Sequence, residues 1–230
     1  MGISYNSSIV TNGLVLCLDA GNPRSYPGSG TSIKDATSTY GTSTMNSATY
    51  NSSNGGVFNF VQASGTYIST PLLSSSTANQ TVCCWAYITL GTYGTIFETG
   101  FGSGYGLGIG DSFYIASNPG NNVVALFPAI RWISTGVSYG STGWKFVTMS
   151  MDASSIPSIY VNASLIGTYT GTAPLTPTTN SYIGRNIGDE SSPTDRAFNG
   201  NINGFLFYNR QLSLAEITQN FNATRGRYGI

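Results

Sequence analysis

The sequence predicts an all-β fold: a sandwich of two packed antiparallel sheets with one short C-terminal helix. Three observations predict it. Short runs of β-branched and aromatic residues recur at regular spacing, with Gly, Ser, Thr and Asn punctuating them as turn formers. The segment Trp144–Met151 (WKFVTMSM) alternates, with Trp144, Phe146, Thr148 and Ser150 on one face and Lys145, Val147, Met149 and Met151 on the other. The segment Phe198–Phe221 reads as a strand that turns directly into a helix with clear start signals.

In chain order, Leu14–Asp19 (LVLCLD) is a nearly continuous apolar run, suited to a strand covered on both faces. The polar stretch from Ala20 to Gly56 is too long for a structureless loop. Its anchors Tyr26, Ile33, Tyr40 and Tyr50 predict short strands and turns. Val57–Phe60 and Thr66–Ser69 form a hairpin around Ala-Ser-Gly. Thr81–Leu90 (TVCCWAYITL) is the central strand. The meander continues through Thr95–Thr99, Tyr105–Ile109, Phe113–Ala116, Val123–Phe127 and Arg131–Ser134. After Trp144–Met151 come Ser158–Asn162, Leu165–Thr170 and Ser181–Gly184. The total is roughly a dozen strands in one domain, residues 1–230, with 1–12 as an N-terminal arm or edge strand and 222–230 as a tail. In the last strand, Ile202 and Leu206 are four apart and so share a face, with Gly204 leaving space between them. Ser213 is the N-cap, Glu216 completes a capping box, Leu212 staples onto Ile217, and Ile217 and Phe221 share one helical face.

Charged residues make up only 8% of the chain, against roughly 25% in an average soluble domain. Nine basic and nine acidic residues cancel, and there is no His. Without a basic stripe, nucleic acid is excluded as a partner. Cys17, Cys83 and Cys84 are an odd set, and the adjacent pair points to opposite faces of a strand, which predicts buried free thiols. Sequons at Asn6, Asn51, Asn79, Asn162 and Asn222 carry little weight in a chain so rich in Asn, Ser and Thr. The N-terminal MGISYNSSIV has neither the basic nor the apolar region of a signal peptide, and Asn6 breaks the myristoylation pattern. No apolar run reaches transmembrane length, so no membrane is expected.

The ordered segments LVLCLDAGNPRSYPGSG, GGVFNFVQASGTYIST, TVCCWAYI, WKFVTMSMD, SIYVNASLIGT, SYIGRN and FNGNINGFLFYNRQLSLAEI resemble the LamG-like jelly roll of the concanavalin A-like lectin/glucanase superfamily. The resemblance runs from about Gly13 to Phe221, and its most specific parts are Tyr182-Ile183-Gly184 and Phe198–Ile217. It implies two curved sheets, the first and last strands paired, and the helix covering an edge or an end. The opening LDAGNPRSYPGSG and the ending NFNATRGRYGI resemble a narrower group, stand-alone domains of tailed phages that serve as virion surface or structural proteins.

Retaining glycosidases need two carboxylates about 5 Å apart. Glu98, Glu190 and Glu216 are scattered, Glu216 serves the helix cap, and no strand carries acids at alternating positions. Nucleophilic triads fail for lack of His, and Gly100–Gly110 matches neither phosphate-loop pattern. The expectation is therefore that the chain is not an enzyme. LamG-like domains often bind calcium at the sandwich rim. Asp189, Glu190 and Asp195 in GDESSPTD supply hard oxygen donors for it, with a solvated rim loop as the bland alternative. Asp19 is either a further ligand or the acceptor of the Gly21-Asn22 turn. No other cofactor is implied. Tyr26, Tyr93, Tyr105 and Tyr139 sit beside turn residues, placed for stacking on a sugar or for protein contacts. Arg225, Arg227 and Tyr228 either dock a neighbouring subunit or cap their own domain.

The expected role is a structural or interaction module on a virion surface, as a capsid decoration, fibre or tail-associated part. Its partners would be other virion proteins and copies of itself, and it would be made in the host cytoplasm without a leader. The alternative is a carbohydrate-binding module that recognises surface polysaccharide.

Overall fold

A run such as Gln80–Ile88 (QTVCCWAYI), apolar at successive positions, finds stable burial only where both faces of its sheet are covered. That requirement organises the fold. The computed structural model describes residues 8–100, 103–110, 119–127, 131–169, 176–185 and 196–230. The strands among them are β1 (Leu14–Leu18), β2 (Ser32–Lys34), β3 (Thr42–Asn46), β4 (Thr49–Asn51), β5 (Val57–Phe60), β6 (Tyr67–Thr70), β7 (Gln80–Ile88) and β8 (Gly94–Glu98). They continue as β9 (Gly106–Gly110), β10 (Asn122–Phe127), β11 (Arg131–Ser138), β12 (Gly143–Met151), β13 (Pro157–Val161), β14 (Ser164–Thr168), β15 (Ser181–Ile183) and β16 (Gly200–Tyr208). One helix, α1 (Leu214–Thr224), follows.

The first sheet has the order β14-β13-β12-β7-β16-β5-β4, with β1 also paired to β16, and the second has the order β11-β10-β9-β8-β15-β6-β3-β2. Named pairings are antiparallel throughout, and β1 and β16 pair as the resemblance implies. The two sheets form a concanavalin A-like sandwich, as expected. Between them lies the main core. Val82, Cys84, Ala86 and Ile88 come from β7, and Val147, Met149 and Met151 come from β12. Ile33, Met45, Ile68, Leu107 and Ile183 meet them from the second sheet. In the polar stretch after Ala20, β2, β3 and β4 replace the loop, anchored by buried Tyr26 and Ile33. Asp35 pins this stretch, accepting hydrogen bonds from the backbone N–H groups of Cys17, Thr37, Thr39 and Tyr40. Burial alone would raise its pKa, but the Thr37 hydroxyl and these amides outweigh burial and hold it below the ordinary carboxylate range.

A second apolar cluster fills the outer face of the first sheet. It contains Cys83, Trp85, Trp144, Phe146, Leu206 and Tyr208, covered by Leu212, Ile217 and Tyr228. The resemblance placed the helix at an edge or end; it lies over a sheet face instead. The reason is the outward row Trp85, Trp144 and Phe146, too much apolar surface to leave wet. The adjacent thiols Cys83 and Cys84 fall in the two separate clusters, and all three cysteines are free. Residues 8–13 run as an arm against α1, where the Asn220 side chain accepts from the Val10 N–H at 2.8 Å and donates to the Tyr208 hydroxyl at 3.0 Å.

The expectation that Ile202 and Leu206 share a face is corrected. The register of β16 against β7 slips between Asn203 and Leu206, at Gly204, whose φ is +59°. One extra residue there reverses the alternation, so Ile202 enters the inter-sheet core and Leu206 the outer cluster. The strand expected at Phe113–Ala116 lies outside the described residues.

At the start of α1 the expected capping box is present in both directions between Ser213 and Glu216. Glu216 also forms an ion pair with Arg210, with Nη2 to Oε1 at 2.6 Å. Hydrogen bonding by Arg210 and then by the Ser213 backbone lowers the Glu216 pKa from 4.5 to about 2. A depressed carboxylate stabilises the fold above its unfolded pKa, and the gain disappears as pH falls toward the folded value. Wild-type protein should therefore be more stable than Glu216→Gln at neutral pH, and that margin should vanish between about pH 4.5 and about pH 2 in denaturant titrations. A margin independent of pH would contradict this origin.

Candidate functional site

The second apolar cluster covers the outer face of the first sheet around β7, β12 and β16, whereas β2, β3, β6 and β15 of the second sheet turn exposed or half-exposed residues outward. Strand alternation decides what they display. On β6 Ile68 turns inward and Tyr67 and Ser69 outward; on β15 Ile183 turns inward and Tyr182 outward; on β3 Met45 turns inward and Thr44 and Asn46 outward. Strand register lines these up. Gly106, Glu98, Tyr182, Ser69, Thr44 and Ser32 form one cross-strand row, and Tyr67 and Asn46 begin the next.

Tyr67 and Tyr182 form an edge-to-face pair with ring centroids 6.0 Å apart, and both are half-exposed. Desolvation first, then the charges of Glu98 and Tyr67, raise the Tyr182 phenol pKa, so it remains a neutral donor through the physiological range. Asn46 donates to Ser69 Oγ at 3.3 Å, giving the row an amide and hydroxyl group beside the rings. Gly184 then turns the chain. Its φ is +86°, and a Cβ there would come within 2.2 Å of the Phe60 ring, so only glycine serves. The turn delivers Arg185, whose guanidinium carbon lies 5.5 Å from the Tyr67 ring centroid and whose Nη1 donates to Gly65 O at 3.4 Å. The surface is thus two rings, a cation and short polar side chains, a combination suited to binding a polar ligand by stacking and hydrogen bonds.

The tyrosines singled out from the sequence are placed differently. Tyr26, Tyr105 and Tyr139 are buried in the main core, with hydroxyls donating to Gly30 O, Gln80 Oε1 and Gly108 O. Neither a sugar nor a protein can stack on them. Tyr93 is half-exposed, and its carbonyl accepts from Gln62 Nε2 at 3.2 Å, at the turn leading into β6. Tyr67 and Tyr182 were not among the tyrosines picked out from the sequence, because they appeared only as parts of short sandwich strands. Their outward direction was legible from the alternation Tyr67-Ile68-Ser69.

The tail caps its own domain. Residues Arg225–Tyr228 form a 3-10 turn, and Tyr228 stacks on Trp85 with centroids 4.4 Å apart. Arg227 pairs with Asp19, Nη1 lying 2.7 Å from Oδ1, and also donates to the carbonyls of Asn54 and Gly56. The Arg225 guanidinium carbon lies over the Phe221 ring, 5.7 Å from its centroid. Asp19 accepts from the Gly21 N–H, as the turn reading expected, and additionally from Asn203 Nδ2. The Arg227 guanidinium thus already occupies the Asp19 carboxylate. Asp189, Glu190 and Asp195 lie outside the described residues, and among the described residues no three His, Cys, Asp or Glu side chains come together.

One further cleft, of about 200 Å³, opens between the sheet edges at β11 and β14, lined by Ala125, Thr135, Ile159, Gly167 and Tyr169. It carries no charged group among these residues.

The family model of the concanavalin A-like lectin/glucanases superfamily matches residues 62–218. No curated protein matches the chain. Among solved structures, Trypanosoma rangeli sialidase in complex with sialic acid is similar at 20% identity and a TM-score of 0.69, over 96% of this chain and 34% of the sialidase. The chain therefore spans about a third of that protein's length. Domain 4 of AbnA, a GH43 extracellular arabinanase from Geobacillus stearothermophilus, in complex with arabinotriose, is similar at 17% identity and a TM-score of 0.63, over 90% of this chain and 97% of that domain. The botulinum neurotoxin type G receptor binding domain is similar at 16% identity and a TM-score of 0.61, over 92% of this chain and 51% of that one. At these identities the likeness shows the fold. It also overturns the expectation that the chain is not an enzyme: a sialidase and an arabinanase carry this fold, so the fold supplies no ground for excluding catalysis.

Docking of the tail on Trp85 has a measurable consequence. Tyr228→Ala should destabilise the protein by about 3 kcal/mol, the scale for removing a buried ring. A denaturation midpoint unchanged within error would show that the tail contributes no packing.

Proposed function

The chain belongs to the concanavalin A-like lectin/glucanases superfamily, and on that premise we propose that it is a carbohydrate-binding module whose site is the outer face of the second sheet. The observation that carries this reading is the half-exposed Tyr67–Tyr182 pair beside Ser69, Asn46 and Arg185. Sugar rings present apolar C–H faces bordered by hydroxyls. A tyrosine ring covers the first, and amide and hydroxyl side chains bond the second. The similarity of nearly the whole chain to an arabinanase domain in complex with arabinotriose supports the reading.

Display of this module on a virion is the setting we propose, in multiple copies and in contact with other virion proteins. Its support is the resemblance of LDAGNPRSYPGSG and NFNATRGRYGI to tailed-phage domains, and a surface poor in charge, with nine basic and nine acidic residues in all. Such a chain packs at high density without strong mutual repulsion.

A broad glycan array should return binders, and Tyr182→Ala should weaken the best of them roughly tenfold, about 1.4 kcal/mol. No binder on the array, or affinity indifferent to both Tyr182→Ala and Tyr67→Ala, would remove the site. Peptide mass spectrometry of purified particles checks the setting, since absence from intact virions rejects it.

A further inference from the structure

On the carbohydrate-binding reading, the remaining question is which glycans this face selects. We infer that it prefers glycans bearing a carboxylate or sulfate group, and that Arg185 is the residue that reads this anion.

Three observations lead there. First, the guanidinium is held in place at the site rather than waving in solvent. Nη1 is tied to Gly65 O, the guanidinium carbon lies 5.5 Å from the Tyr67 ring centroid, and Gly184 fixes where the chain delivers it. A cation anchored beside a stacking ring loses little freedom on binding, which is how a specificity contact differs from a solvated surface arginine. Second, Arg185 Nε is buried and has no hydrogen-bond partner. An N–H on a permanent cation is costly to leave unmatched. With Nη1 committed to Gly65, Nη2 carries the donors left for an anion arriving from solvent, and an outward turn of the guanidinium that frees the unmatched Nε completes a fork of two parallel bonds. Carboxylate and sulfate oxygens match that fork, whereas a single sugar hydroxyl supplies only one acceptor.

Third, the charges on this face agree. Along β2, β3, β6, β15 and β8, the ionisable groups other than tyrosines are Lys34 and Glu98, and Arg185 follows two residues after β15. Lys34 is exposed and Arg185 half-exposed, whereas Glu98 is 2% exposed and sits below the surface in the row beside Tyr182. A ligand lying across the rings therefore meets accessible positive charge and a concealed negative one. Because net charge is zero, long-range attraction of anions is weak and the selection must be made by contact. The anion should lie next to the sugar that stacks on the tyrosine pair, since Tyr67 touches both Tyr182 and the guanidinium.

The test is a glycan array containing neutral, uronic, sialylated and sulfated members. It is followed by titration of the intact chain with an oligogalacturonate and its methyl ester, and with a sulfated and an unsulfated oligogalactose. The ester and unsulfated forms remove only the charge, and the two pairs separate carboxylate from sulfate. At least a tenfold preference for the charged member of one pair is expected, falling to near parity in Arg185→Gln and partly kept in Arg185→Lys, which retains charge without the fork. Melting temperatures of both variants confirm that the fold is retained. Neutral and acidic glycans bound equally by wild type, with Tyr182→Ala weakening both, would overturn the anion preference while leaving the binding site standing. Acidic preference untouched by Arg185→Gln would overturn the assignment to this residue. Absence of any binder would overturn both readings together.

Discussion

The extra residue in β16 is the constraint on which the rest of the structure depends. β16 is a shared strand, bonded to β7 along one side and to β5 and β1 on the other. Before Gly204 it sends Ile202 into the core; after it, Phe205 and Phe207 go inward and Leu206 and Tyr208 outward. Without the slip, the aromatic residues of FLFY would exchange faces, placing Tyr208 in the apolar inter-sheet core and two phenylalanines against the arm. Just before the slip, Asn203 acts as a buried junction. Its Oδ1 accepts from the Ala20 N–H, and its Nδ2 donates to Asp19 and to the Tyr228 hydroxyl. A single side chain thus joins the strand, the exit from β1 and the tail. Removing it would leave several buried polar groups unmatched at once, a far larger penalty than one lost hydrogen bond.

This arrangement makes the two sheets unequal. Once Trp85, Trp144, Phe146 and Leu206 face outward, the helix, the arm and the tail are all needed to cover them. Trp85 Nε1 finds its partner in Thr224 Oγ1 at 2.8 Å, so even the polar atom of that cluster is consumed internally. These outward aromatic rings of the first sheet are thus packed against the helix, the arm and the tail. The second sheet, with Thr44, Asn46, Ser69, Tyr67 and Tyr182 outward, keeps a half-dry, half-polar surface. Function is assigned to that face because the packing of the other has spent its aromatic residues.

What the sequence made legible was local. The capping box needed only Ser213 and Glu216, and the faces of β12 followed from the alternation WKFVTMSM. Errors came from contacts distant in the chain. Tyr26, Tyr105 and Tyr139 adjoin glycines and serines, but nearness to a turn says nothing about side-chain direction, and the carbonyls of Gly30 and Gly108 and the side chain of Gln80 satisfy their hydroxyls. Arg227 meets Asp19 across most of the chain, so no window of sequence could reveal that the tail was already occupied. The Gly204 bulge was hidden because glycine in a strand reads equally as a gap and as an extra residue. Tyr182 and Gly184 were visible as a family signature, and the signature's structural meaning concealed that Tyr182 also faces solvent.

That double use ties the proposed face to the framework of the sandwich. In SYIGRN, Ser181 and Ile183 face inward, and Gly184 passes close to Phe60. These residues are required by the sandwich whatever the protein binds. Tyr182 and Arg185 are carried on the same rigid segment but point away from it, so they can vary without disturbing the core. A site built on strand residues also holds its geometry better than one on a loop, because the cross-strand hydrogen bonds of β15 with β6 and β8 set the spacing of the rings. The alternation that buries Ile68 and Ile183 is the same alternation that turns Tyr67 and Tyr182 toward solvent.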